Sequence, residues 1–232
     1  MFTAPLRAMY PNGVFPAIND SDLMKAANFD GAWRWAWKTW KDPIFAQAQA
    51  RGNEKTIREL LGPDAKPDWP PDLGSEDLPA AGLAVLRVGR GDRAASVFLD
   101  YGPHGGGHGH FDKLNLLLFA NGREWLPDTG RLTYSDKEYK TWVKTTAAHN
   151  TVSLNGRNQA PASGRLLFLQ QENDFAAAAV TCDEAYPGVR LTRRVMLTSD
   201  FLVDVFEIDA DRPGQVDLIT RVMASESAPV GI

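Results

Sequence analysis

All four histidines of this 232-residue chain, His104, His108, His110 and His149, fall between Tyr101 and Asn158. His108 and His110 are separated by one glycine, preceded by Gly105, Gly106 and Gly107, and followed by Asp112. Glycines let the backbone take φ > 0 and admit a ligand close to the main chain. The apolar run 114–119 leaves this loop as an expected strand, and Asn121-Gly122 reads as a hairpin turn. The return segment from Glu124 then brings Asp128 back towards the histidines, and His149 stands just ahead of another strand-like run, 151–154. Two imidazoles and a carboxylate delivered from strand ends suit a zinc site with an open or water-filled fourth position. A single histidine is more often a surface or satisfied core residue. The HxHxD pattern, with an aspartate and a histidine returning on later segments, is what favours a cluster. No GxxxxGK[ST] pattern or dinucleotide fingerprint accompanies the glycines, which leaves a phosphate cradle weakly supported.

The elements that must position these groups change character along the chain. Residues 1–62 read as a helical segment: a Pro- and Gly-punctuated start, a helix N-cap at Asn19-Asp20-Ser21-Asp22, and a helical pattern from Ser21 to Gly62. Trp33, Trp37 and Trp40 fall at i, i+4 and i+7, one aromatic stripe. Core packing is its ordinary meaning, and a sugar-stacking wall the sharper one, since flat apolar sugar faces lie well on indoles. Residues 63–82, rich in Pro, Asp and Gly, read as a linker. From 83 to 232 short strands follow one another at 83–88, 94–100, 114–119, 151–154, 166–171, 175–181, 189–198, 201–208 and 216–222. Tight turns and no intervening helices imply an antiparallel β-sandwich. The fold class expected is therefore α+β, mainly β.

Composition bounds the partners. The net charge of −4 argues against nucleic acid. Cys182 stands alone, so no intramolecular disulfide forms and the redox compartment is undecided by cysteine usage. No run of about 18 apolar residues is present, so no membrane span is expected. The first residues have no apolar h-region and do not read as a signal peptide.

The run HGHFDKLNLLLFANGREWLPDTG followed by AAHNTV resembles the heparinase II/III-like family of polysaccharide lyases, over roughly residues 84–220. GVFPAINDSD, near the start, is similar to the segment that closes the helical toroid of that family. The resemblance implies that residues 1–62 are the end of such a toroid and that 83–232 are the β-sandwich. It implies zinc held by His110, Asp128 and His149, with His108 facing substrate. Tyr134 and Tyr139 lie where the family places a tyrosine near the substrate, and the two are not distinguished at this level. The family's principal catalytic tyrosine and its partner sit on toroid helices upstream of Met1, so the chain reads as a fragment.

The chemistry so implied is lyase chemistry: β-elimination at C4 of a uronic acid in an acidic polysaccharide of alginate or glycosaminoglycan type. The C5 proton is barely acidic while the adjacent carboxylate is ionised. The site must neutralise that carboxylate, supply a base near neutral pH and protonate the leaving oxygen. His108 suits charge neutralisation or proton transfer, its ordinary pKa being about 6.5. A tyrosine plays base and acid in turn only if cationic neighbours lower its pKa from about 10. His104, Lys113 and Arg131 are the candidate substrate contacts, with Arg123 and Lys137 nearby; their ordinary reading is solvated loop charge. Asp112 is a candidate to orient an imidazole or simply to cap the loop. Family habit implies a periplasmic or secreted location. The competing expectation is a non-catalytic, zinc-stabilised carbohydrate-binding or structural sandwich.

Overall fold

The computed structural model describes residues 3–71 and 73–223. They form two compact units, one running up to Pro16 and then through Leu23–Gly74, the other combining Ala17–Asp22 with the chain from Ser75 onward.

The first unit holds helix α1 (Ala4–Arg7), the short pair β1 (Val14–Phe15) and β2 (Met24–Lys25), and helices α2 (Asp30–Trp40), α3 (Pro43–Ala50) and α4 (Glu54–Leu61). The starts of α3 and α4 are set by capping. The Asp42 side chain accepts from the Ile44 N–H with Pro43 at the first helical position, and Asn53 accepts from the Thr56 N–H. Gly62 ends α4, as its sequence suggests. The tryptophan stripe is mainly core: Trp33 is buried among Phe15, Phe29 and Phe45 and donates its indole N–H to the Ala26 carbonyl at 2.8 Å. Trp40, at the end of the stripe, is exposed. The expected helix start at Asn19–Asp22 does not form. Met24–Lys25 pairs as a strand, a 3₁₀ turn over Ala26–Phe29 leads into α2, and the polar side chains of Asn19 and Asp20 are bonded elsewhere.

The second unit is the expected antiparallel sandwich. One sheet runs in the order β3 (Glu76–Leu78), β4 (Leu83–Val88), β5 (Ala95–Asp100), β6 (Asn115–Ala120), β7 (Arg123–Leu126). The other has the order β12 (Leu202–Ala210), β11 (Val189–Leu197), β10 (Phe175–Tyr186), β9 (Arg165–Glu172). A two-stranded piece joins β8 (Val152–Leu154) to β13 (Val216–Leu218). Strand β3 lies inside the stretch expected to be linker, where Leu78 pairs with Leu83 across a tight connection. Leu86, Val97 and Leu99 of the first sheet pack with Val180, Cys182, Leu191 and Val195 of the second. Every residue of β5 is buried, the polar Ser96 and Asp100 included, which explains why its sequence shows no inside–outside alternation.

Arg193 of β11 is 2 % exposed and ties the unit together. Its guanidinium makes a two-pronged pair with Asp204 at 2.8 and 2.6 Å and donates to the carbonyls of Leu114 and Asn150, at the roots of the histidine-bearing segments. A buried charge of this kind is tolerated because a carboxylate partner and four hydrogen bonds compensate it.

Candidate metal centre and active site

The site is carried by three connections at one end of the β3–β7 sheet: 101–114 between β5 and β6, 127–151 between β7 and β8, and the short segment Ala17–Asp22. Two glycines let these come together. A Cβ on Gly109 would sit 1.3 Å from the His104 carbonyl oxygen, so only glycine closes the HGH loop. Gly130, at φ +59, has Ala17 Cβ and the Ser21 carbonyl within 2.9 Å of where a Cβ would stand. The glycine of DTG is therefore what admits segment 17–22.

His110, Asp128 and His149 converge. All three side chains are fully buried, and one ligand atom from each lies within 4.8 Å of the others. His149 Nε2 is 3.6 Å from Asp128 Oδ1, and His110 Nδ1 is 4.0 Å from the same oxygen. Asn115 donates to the second Asp128 oxygen at 2.8 Å, and the Gly130 N–H donates to the first at 3.0 Å. The protons on the two rings can be placed. His149 Nδ1 faces the Thr145 carbonyl at 2.8 Å and must donate to it; His110 Nε2 faces Asp20 Oδ1 at 3.1 Å and donates there. The remaining nitrogens, His110 Nδ1 and His149 Nε2, confront each other at 3.0 Å. Two lone pairs so close repel unless a proton or a cation lies between them.

The electrostatics ask for positive charge at the same point. Burial works against a charged His149, but the Asp128 and Asp112 carboxylates outweigh it and push the imidazole up to about 9. Asp112 is fully buried, and neither of its oxygens has a hydrogen-bond partner among the described residues. Its nearest cationic groups are Lys113 Nζ at 3.8 Å and His149 Nε2 at 3.9 Å. Two imidazole nitrogens, a carboxylate and an unsatisfied carboxylate behind them are a donor set that fits a divalent cation such as zinc.

Above this cluster lies a more exposed group. The His108 side chain is 74 % exposed, with Nδ1 3.1 Å from Asp20 Oδ2. Tyr134 is half exposed; its hydroxyl lies 3.4 Å from His108 Nδ1 and its ring meets Tyr139 edge-on at 5.1 Å. Tyr139 is buried on a single π-helical turn, Tyr139–Val143, and donates its hydroxyl to Asp20. Burial and the Asp20 carboxylate push this phenol up to about 12. Cationic neighbours were expected to lower a tyrosine here. Lys144 is indeed 3.3 Å from the Tyr139 oxygen, but the nearer carboxylate prevails.

The three residues expected to contact substrate sit in different surroundings. Lys113 is 1 % exposed and bonded to Asp100 Oδ1 at 3.2 Å, a buried ion pair facing away from solvent. His104 is half-buried, stacks on Phe111 at 5.0 Å and donates Nδ1–H to the His110 carbonyl, so it braces the loop. Arg131 is at the surface, but its fork is occupied by Asp22 at 2.8 and 2.7 Å. The residue sequence reasoning missed is Asp20, along with Lys144, which donates to the Gly107 carbonyl at 2.7 Å. The GVFPAINDSD segment contains Asp20 but gives it no role by itself, because its partners lie 88 to 119 positions away.

The family described as Heparinase II/III-like, C-terminal, matches residues 70–218. An alginate lyase of Stenotrophomonas maltophilia is 33% identical over 192 residues, covering 71% of this chain and 26% of the relative. An exo-oligoalginate lyase of Saccharophagus degradans is 30% identical over 59% of this chain and 22% of its own length. A heparin-sulfate lyase of Bacteroides stercoris is 26% identical over 73% and 26%. The chain thus spans about a quarter of the length of the curated relatives it matches. Among solved structures, a heparinase III superposes with a TM-score of 0.79 at 22% identity, covering 96% of this chain and 35% of that one. A heparan sulfate lyase from Pedobacter heparinus gives 0.73 at 20%, covering 93% and 33%. At these identities the structural likeness speaks for the fold.

Proposed function

We propose that this chain, which belongs to the heparinase II/III-like family, is the sandwich portion of a lyase that cleaves a uronate-containing polysaccharide by β-elimination. The observation that carries the proposal is the pairing of an exposed imidazole and phenol, His108 and Tyr134, with the buried His110, Asp128 and His149 cluster directly beneath them. The alginate and heparin-sulfate lyases among its relatives support an acidic substrate of alginate or glycosaminoglycan type. We also place the protein outside the cytoplasm, in the periplasm or secreted, where such polymers are met. Among the described residues no helix is long and apolar enough to cross a membrane.

Zinc, when bound by His110, Asp128 and His149, supplies a fixed positive charge that holds the two histidine segments together. The remaining steps belong to the chain's own residues. His108 donates Nδ1–H to Asp20, which leaves Nε2 as the acceptor for the C5 proton of the uronate. Tyr134, beside it and open to solvent, is placed to protonate the leaving oxygen as the C4–O bond breaks. Tyr139 keeps its own proton, donates it in a hydrogen bond to Asp20 and so orders the carboxylate that His108 leans on. Neutralising the uronate carboxylate falls to Lys144 or to Arg131, and Arg131 has first to release Asp22. A preorganised donor aimed at the developing charge is worth about 3–4 kcal/mol.

The test is ultraviolet absorbance of the unsaturated uronate product on polymannuronate and heparan sulfate digests. Product from the wild-type chain, lost in His108→Ala, supports the reading. A second reading, a zinc-stabilised carbohydrate-binding or structural sandwich, is favoured by the full burial of the His110, Asp128 and His149 side chains, which suits a metal that only holds loops together. Saturable binding of the polysaccharide without product would support it over catalysis by this chain.

A further inference from the structure

Asp20 links the buried and the exposed halves of the site through one carboxylate. Its side chain is 1 % exposed. Oδ1 accepts from His110 Nε2 at 3.1 Å, while Oδ2 accepts from His108 Nδ1 at 3.1 Å and from the Tyr139 hydroxyl. The main chain holds it in register with the loop: the Asp20 N–H donates to the His108 carbonyl at 3.2 Å, and the His110 N–H donates to Asn19 Oδ1 at 2.9 Å. Three side-chain donors on one buried carboxylate satisfy it as a charge. They also do something packing alone would not. A carboxylate only accepts, so each histidine must carry its proton on the nitrogen that faces Asp20. His110 is thereby left with its lone pair on Nδ1, the atom 3.0 Å from His149 Nε2, and His108 with its lone pair on Nε2.

We propose that Asp20 is the positioning residue of this site: a single carboxylate sets the tautomer of both histidines of HxH, holding His110 as a metal ligand through Nδ1 and His108 as a proton acceptor through Nε2. The role given to His108 rests on the lyase reading; the tautomer of His110 does not. It follows that segment 17–22, remote in sequence, is part of the site rather than a connection to it.

Substitution of Asp20 by Asn, Glu and Ala in the full chain tests this, with two readouts. Long-range ¹⁵N–¹H correlation spectra of the imidazoles at one fixed pH report which nitrogen of each ring carries the proton. Competition with a chromophoric chelator reports zinc affinity. In the wild type, His108 should be protonated on Nδ1 and His110 on Nε2. Asp20→Asn keeps the shape but replaces one acceptor oxygen by a donor, so at least one of the two rings must switch nitrogen. Zinc affinity should fall about 10–100-fold in Asp20→Asn and Asp20→Ala, the usual cost of losing a group that orients a ligand. Asp20→Glu, which keeps two acceptor oxygens, should recover part of it. Wild-type tautomers together with unchanged zinc affinity in folded Asp20→Asn would overturn the proposal, as would the opposite tautomers in the wild type. A wild type that takes up no zinc would remove the metal reading while the tautomers still decide the role of Asp20. If Asp20→Ala fails to fold, the isosteric Asn variant carries the test.

Discussion

Single residues divide sharply between those that act at the surface of the site and those that hold it from below. His108 is exposed and no β-strand depends on it, so His108→Ala should leave the melting temperature and zinc content unchanged. It should lower product formation by about 10²–10⁴-fold, the contribution of a general base; equal rates in the two proteins would remove it from the chemistry. Lys113 is the opposite case. Its ammonium is buried between Asp100 and Asp112, and removing one partner of such a group leaves uncompensated charge. Lys113→Met should therefore destabilise the protein by about 3–5 kcal/mol in chemical unfolding. Asp100 gives a pH signature. Burial pushes its carboxyl up to about 7 against the opposing pull of Lys113, from 3.8 in the unfolded chain. Between those values the folded state binds more protons than the unfolded one, so this group's contribution to stability is present below about 4 and is lost as the pH rises through about 7. The melting temperature should decline across that window, and the decline should flatten in Asp100→Asn. Identical slopes would refute the assignment.

The scale of loops and strands shows what the sequence made legible and what it did not. HxHxD, DTG and HNTV are local signals, and the strands around them follow from apolar runs and turn residues; sheet order β3 to β7 simply follows the chain. Local patterning missed the contacts that join distant segments. Asn19 and Asp20 read as a helix cap because Asn and Asp near a helical pattern usually cap it, yet their partners are on the histidine loop. Lys113 read as a solvent-facing charge because lysines normally are; only the pairing of β5 with β6 puts Asp100 beside it. The loop geometry itself makes a prediction. Gly109→Ala would drive a methyl into the His104 carbonyl, whereas Gly107 has open space around it and no positive φ. Gly109→Ala should lose metal and lower the melting temperature, and Gly107→Ala should match wild type. Equal behaviour of the two variants would contradict the close approach.

At the scale of the whole molecule, the second unit is a sandwich whose core and site are joined by the same buried polar residues. Arg193 joins β11 and β12 to the carbonyls at the roots of both histidine segments, and Asn115 joins β6 to Asp128. An arginine in the strand-like run 189–198 gives no local sign of being buried; only the pairing of β11 with β12 brings Asp204 within its reach. The most direct test of the central claim is metal content by mass spectrometry on the purified chain, wild type against His110→Ala and His149→Ala. About one zinc per chain is expected in the wild type, lost in both variants. A folded wild type without metal would contradict it, and the confronting nitrogens of His110 and His149 would then share a proton instead.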